Sequence, residues 1–116
     1  TWHDPSRRRL LPVIRYVQDH MAGPVRRDDL ARAAGLSIPH LHVLFVRAFG
    51  SAPMAFVRRE RMQRARQLLH WSHLSVAEVA QQCGFDDQYY FSRAFKAAEG
   101  VPPSRYRRMV GTGVSL

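Results

Sequence analysis

Apolar side chains recur along this chain at intervals of three and four residues, the period of an amphipathic helix, and nowhere alternate long enough to read as a strand. Asp4 and Pro5 suit an N-cap and first turn, and Leu10, Leu11, Ile14, Val17 and Met21 follow at helical spacing until Gly23 and Pro24. Asp28 and Asp29 open a short helix through Ala34, and Gly35, Leu36 and Ser37 make a turn. The next helix spans about 38 to 49, with Leu41, Leu44, Phe45 and Ala48 on its inner stripe. A long helix from Pro53 to about His70 buries Phe56, Val57, Met62, Ala65, Leu68 and Leu69. Ser75 and Glu78 are spaced as a capping box before a helix through Cys83. The last clear helix spans about 87 to 99, with Asp86 as its expected N-cap and Phe91, Ala94, Phe95 and Ala98 inward.

This pattern is written twice. Ala31 and Gly35 recur 49 residues later as Ala80 and Gly84, while Leu41, Phe45, Gly50 and Pro53 recur 50 residues later as Phe91, Phe95, Gly100 and Pro103. A small residue on one helix, a glycine four later and an apolar anchor on the next helix describe a helix-turn-helix, in which two helices cross closely. The offset grows by one between glycine and anchor, so the second turn holds one extra residue. The expected fold class is therefore all-α, with two helix-turn-helix units: a first unit at about 10–52, a connecting helix at about 53–70 and a second unit at about 75–108. Residues 1–9 read as a linker or N-terminal extension and 109–116 as a C-terminal tail. The polar opening and the start at Thr1 favour a piece excised from a longer chain.

Charge narrows the partner. Eighteen Lys and Arg against nine Asp and Glu give +9 over 116 residues, and every basic residue but Lys96 is arginine, whose planar fork matches phosphate and guanine. A polyanion is the expected partner, and double-stranded DNA the polyanion that a repeated helix-turn-helix suits. No apolar run approaches the roughly 20 residues of a membrane span, so no membrane partner is expected. One cysteine permits no internal disulfide, in keeping with a cytoplasmic setting.

The outer faces of the two second helices carry the candidate chemistry. On the first stand Ser37, Ile38, Pro39, His42, Val43 and Val46, an uncharged face on which His42 suits a base acceptor or phosphate and Val43 a thymine methyl. On the second stand Gln88, Tyr89, Ser92, Arg93 and Lys96, with Tyr90 at the margin. Arg93 suits guanine O6 and N7, Gln88 suits adenine, and Ser92 and Lys96 suit phosphate. Ser37, Arg47, Arg105, Arg107 and Arg108 complete the candidate phosphate contacts. The 27 Å or so of an 18-residue connecting helix, with its flanking helices, suits two reading helices about one duplex turn apart.

Residues 84–108, GFDDQYYFSRAFKAAEGVPPSRYRR, closely resemble the C-terminal signature of the AraC/XylS family of transcriptional regulators. The resemblance continues through Leu30, Ala31, Gly35, Leu36, Ser37, Leu41, Leu44, Phe45, Gly50, Arg61 and Ala65, and covers about residues 10–108. It implies a seven-helix, bilobal domain whose two recognition helices enter successive major grooves, and transcriptional control, usually activation through RNA polymerase. The family's base-reading positions fall on Pro39, His42 and Val43, and on Tyr89, Tyr90 and Arg93 with Gln88 beside them. Val43 and Val46 stand where an Arg or Lys is common in the family. Family members usually carry a separate ligand-sensing domain, for which this chain has no room. Two alternatives stand beside this reading: a non-specific architectural DNA binder, and the DNA-binding part of a methyl-accepting repair protein. The latter needs a cluster of cysteines, whereas Cys83 is alone and reads as a small core residue. His40 and His42, and His70 and His73, fall short of the ligands a zinc site needs, so no metal, cofactor or enzymatic activity is expected.

Overall fold

A computed structural model of the chain describes residues 4–114, and side chains to residue 111. Among the described residues there are eight helices and no strand: α1 (Pro5–Arg9), α2 (Leu11–Asp19), α3 (Arg27–Ala34), α4 (Ile38–Phe49), α5 (Pro53–Trp71), α6 (Val76–Gln82), α7 (Gln88–Glu99) and α8 (Pro103–Val114). The all-helical expectation holds. The count exceeds seven because the first segment, expected as one helix, breaks at Leu10. Pro12 lies in the first turn of α2 and has no N–H to donate, so the ladder restarts there. The restarted helix ends at Asp19, and Met21 is buried from the following loop.

The chain divides into two compact units between Arg59 and Glu60, and both draw on α5. In the first, Leu10, Val13, Val17, Leu30, Leu41 and Phe45 form the buried centre, with the Phe45 ring 4.8 Å from Phe49 and 5.5 Å from Phe56. In the second, Ala65, Leu69, Val79, Cys83, Phe91 and Phe95 do the same, with Phe91 5.2 Å from Phe85 and Phe95 5.3 Å from Tyr106. Ala98, expected to face inward, is exposed.

Residues 5–9 of the expected linker form α1, capped by the Asp4 carboxylate on the Ser6 N–H, and residues 1–3 lie outside the described residues. Arg7 ties α1 down: its Nε donates to the Ala48 carbonyl at 3.0 Å and its guanidinium lies 5.2 Å from the Phe49 ring centre. The expected tail is the end of α8 as far as Val114, and residues 115–116 lie outside the described residues.

The repeat appears in the hydrogen bonds that close the two turns. The Leu36 N–H donates to the Ala31 carbonyl and the Phe85 N–H to the Ala80 carbonyl, both at 2.9 Å, across Gly35 (φ 67°) and Gly84 (φ 85°). Only glycine enters that left-handed region freely, which accounts for its recurrence. The extra residue of the second turn is Asp86. It displaces the N-cap by one position, so that Asp87, not Asp86, accepts the Tyr89 N–H at 2.8 Å. In the first unit Ser37 accepts the His40 N–H in the same role. Ser75 and Glu78 cap α6 reciprocally: the Glu78 N–H donates to the Ser75 hydroxyl, and the Ser75 N–H donates to the Glu78 carboxylate, which with the neighbouring Ser75 side chain holds that carboxyl below the usual carboxylate range.

Candidate nucleic-acid interface

Each unit buries one side of its second helix and leaves the other open. α4 buries Leu41, Phe45 and Ala48, so Ser37, Pro39, His42, Val43 and Arg47 come together on its exposed side. α7 buries Phe91 and Phe95, leaving Gln88, Tyr89, Tyr90, Arg93 and Lys96 exposed and Ser92 half-buried. Tyr89 is 74% exposed, a large aromatic surface with no packing role. Tyr90, at 57%, keeps an edge contact with Phe85, their ring centres 5.9 Å apart. The side chains of Arg93 and Lys96 make no hydrogen bond or ion pair among the described residues, so both cations are available to a partner.

α7 is held from behind. Glu99 ends the helix, where a carboxylate faces the negative end of the helix dipole, and Arg66 of α5 meets it at 2.8 Å. Tyr106 of α8 packs edge-on against Phe95 from the buried side. Sequence periodicity places Arg66 and Glu99 on their helices but cannot pair residues 33 positions apart.

Among the candidate phosphate contacts of α8, Arg105 and Arg108 are exposed, whereas Arg107 is half-buried and engaged within the protein. Its Nε donates to the Leu69 carbonyl at 2.9 Å, and one terminal nitrogen reaches the carbonyls of Leu68 and Ser72, each at 3.4 Å. These carbonyls lie at the end of α5, where the Leu68 carbonyl also accepts the Ser72 N–H at 3.0 Å and the Ser72 hydroxyl at 2.6 Å, so Arg107 acts as a helix cap together with Ser72. Arg107→Ala is expected to cost about 1–3 kcal/mol of stability, measured by urea unfolding, and to leave the salt dependence of DNA binding unchanged. Arg105→Ala is expected to show the reverse, with stability unchanged and the salt slope reduced by about one unit.

Cys83 is fully buried, and burial pushes its thiol up to about 11 against the opposing pull of the Arg64 and Arg61 charges. Arg61 is half-buried, and its desolvation lowers its own pKa. At pH 8 roughly a thousandth of the Cys83 thiol is ionised, so alkylation by iodoacetamide is expected to be slow in the native protein and fast in urea. Equal rates in both states would contradict the packing. Among the described residues no group of three or more His, Cys, Asp and Glu is placed to hold a metal, and no single helix is long and apolar enough to cross a membrane.

A repeated helix-turn-helix whose second helices each leave one face open, on a chain of net charge +9, is the architecture of a DNA-binding module. Residues 30–109 match the model of a family described as a helix-turn-helix domain. The uncharacterized HTH-type transcriptional regulator YpdC of Escherichia coli is 38% identical over 94 residues, covering 81% of this chain and 33% of that protein. The arabinose operon regulatory protein of E. coli is 34% identical over 108 residues, 90% of this chain and 36% of that protein. Among solved structures, the DNA-binding domain of the global transcriptional factor AdpA in complex with a target DNA superposes with a TM-score of 0.81 at 30% identity, covering 86% of this chain and 90% of that one. The chain belongs to the AraC/XylS family of helix-turn-helix DNA-binding transcription regulators. It spans about a third of the length of the curated relatives it matches.

Proposed function

We propose that this chain recognises a specific sequence in double-stranded DNA, with α4 and α7 reading successive major grooves, and that it serves transcription by acting with RNA polymerase in the cytoplasm. The observation that carries the reading is the outer face of α7, where Tyr89, Arg93 and Lys96 stand exposed on a helix anchored by Phe91 and Phe95. Arg93 reads guanine through a bidentate contact, and Gln88, in the first turn, pairs with adenine. Tyr89 and Tyr90 contact bases or sugar. Ser37, Arg47, Ser92, Lys96, Arg105 and Arg108 hold the phosphates and set register. On α4 the base-facing residues are Pro39, His42 and Val43. The two-groove arrangement is supported by the repeat itself, since equivalent helices joined through one 19-residue helix suit two half-sites without a dimer. Because the match covers only 33% and 36% of two curated relatives, the reading includes a ligand-sensing domain joined to this one.

The test is selection of bound duplexes from a random pool at two salt concentrations. Two enriched blocks one helical turn apart support the reading. One block confines specificity to α7, and no enrichment at either salt leaves a non-specific architectural binder.

A further inference from the structure

The two reading helices hold the same place in the repeated unit, so each residue of α4 has a counterpart 50 positions on in α7. The three residues of α4 farthest from its buried stripe are Pro39, Val43 and Val46, and their counterparts are Tyr89, Arg93 and Lys96. Where α7 carries a phenol, a guanidinium and an ammonium, α4 carries three saturated side chains that neither donate nor accept a hydrogen bond. Val43 is 54% exposed, Val46 40% and Ile38 38%, and none of them belongs to the core of the first unit. His42 is exposed to one side of this stripe and Arg47 to the other.

An apolar stripe selects against most base edges. Pressed against guanine or cytosine, it would strip water from N7, O6 or the C4 amine and return no hydrogen bond. The apolar feature of the major groove is the C5 methyl of thymine. A protein partner fits less well, because a few side chains on one helix fall far short of the roughly 20–30 residues per side of a stable protein interface. We infer that α4 recognises a thymine-rich half-site by burying C5 methyl groups against Val43 and Val46, while α7 reads its half-site by hydrogen bonds. This rests on the DNA-binding reading above and adds to it a different recognition chemistry for each helix.

The experiment replaces thymine by deoxyuridine, which lacks only that methyl, one block at a time in a duplex enriched by selection, and measures affinity for the whole chain by fluorescence anisotropy. In one block each contacted methyl removed is expected to weaken binding about fourfold, the equivalent of one buried methylene, and in the other block the change stays within about twofold. The double variant Val43→Ala, Val46→Ala, which changes only exposed positions and whose fold circular dichroism checks, is expected to lose the difference between thymine and uracil. Selective binding that is indifferent to uracil in both blocks overturns the methyl reading, leaves sequence-specific binding intact and assigns the stripe to a protein partner. A double variant that keeps full uracil sensitivity overturns the assignment to α4. Absence of any enriched block overturns the parent reading and this one together.

Discussion

Phe91→Ala is expected to destabilise the second unit by about 3–5 kcal/mol and to abolish sequence-selective DNA binding. Phe91 is fully buried, and its ring lies 5.2 Å from Phe85 and 5.9 Å from Phe95. It is the residue through which α7 is seated on its core. Truncation to alanine removes the transfer energy of an aromatic ring and leaves a cavity beside Phe85 and Phe95, as far as the surrounding core fails to collapse inward. Against the 5–15 kcal/mol that typically separates folded from unfolded domains, the loss is large. Urea unfolding followed by circular dichroism reads it directly, and anisotropy with an enriched duplex reads the loss of binding. Phe91→Leu, which keeps most of the apolar volume, is expected to recover much of both. A Phe91→Ala protein as stable as the parent would show that α7 is held by Arg66, Glu99 and Tyr106 rather than by its core ring.

Arg93→Ala should leave stability unchanged and cost about 1–3 kcal/mol of binding, concentrated at one base pair. The side chain is exposed and makes no hydrogen bond or ion pair within the described protein, so nothing in the fold depends on it. In the major groove its two donors match O6 and N7 of guanine, and no other base offers that pair of acceptors. Affinity would be measured for the four duplexes that differ only at the position in question. The parent is expected to prefer guanine by about one to two orders of magnitude, and the variant to bind all four within a few-fold. If Arg93→Ala weakened all four equally, Arg93 would be a phosphate contact and the base-reading assignment would fall. Arg93→Lys separates the cases further, since a lysine keeps the charge but not the fork.

The roles of the arginines divide along the line between local and long-range information. Arg93 is legible in the sequence because the period of α7 places it opposite Phe91 and Phe95, and that period depends only on neighbours within two turns. Arg107 is equally well placed on its helix, yet its destination is the set of carbonyls at the end of α5, 35 to 39 residues earlier, which no local pattern encodes. Arg7 is similar: it stands in a run of three arginines, and only the approach of α1 to α4 gives it the Ala48 carbonyl, 41 residues away. For both, the hydrogen-bond partner is a backbone carbonyl near the end of a helix that only the tertiary structure brings within reach.

What the sequence determined by itself was the helical class, the repeated unit with its extra residue in the second turn, the two apolar stripes that seat α4 and α7, and therefore the faces those helices leave open. All of this follows from side-chain periodicity and from glycines that must take positive φ, which are properties of short stretches of chain. The tertiary structure decided the break at Leu10 imposed by Pro12, the shift of the α7 cap to Asp87, and the hydrogen bonds of Arg7 and Arg107 to carbonyls of distant helices. It also separated Val43 and Val46, exposed and uninvolved in the core, from the apolar residues that build it. Those outcomes depend on which backbone donors and acceptors are left without partners once helices distant in sequence are packed together, and that is settled only when the chain has folded.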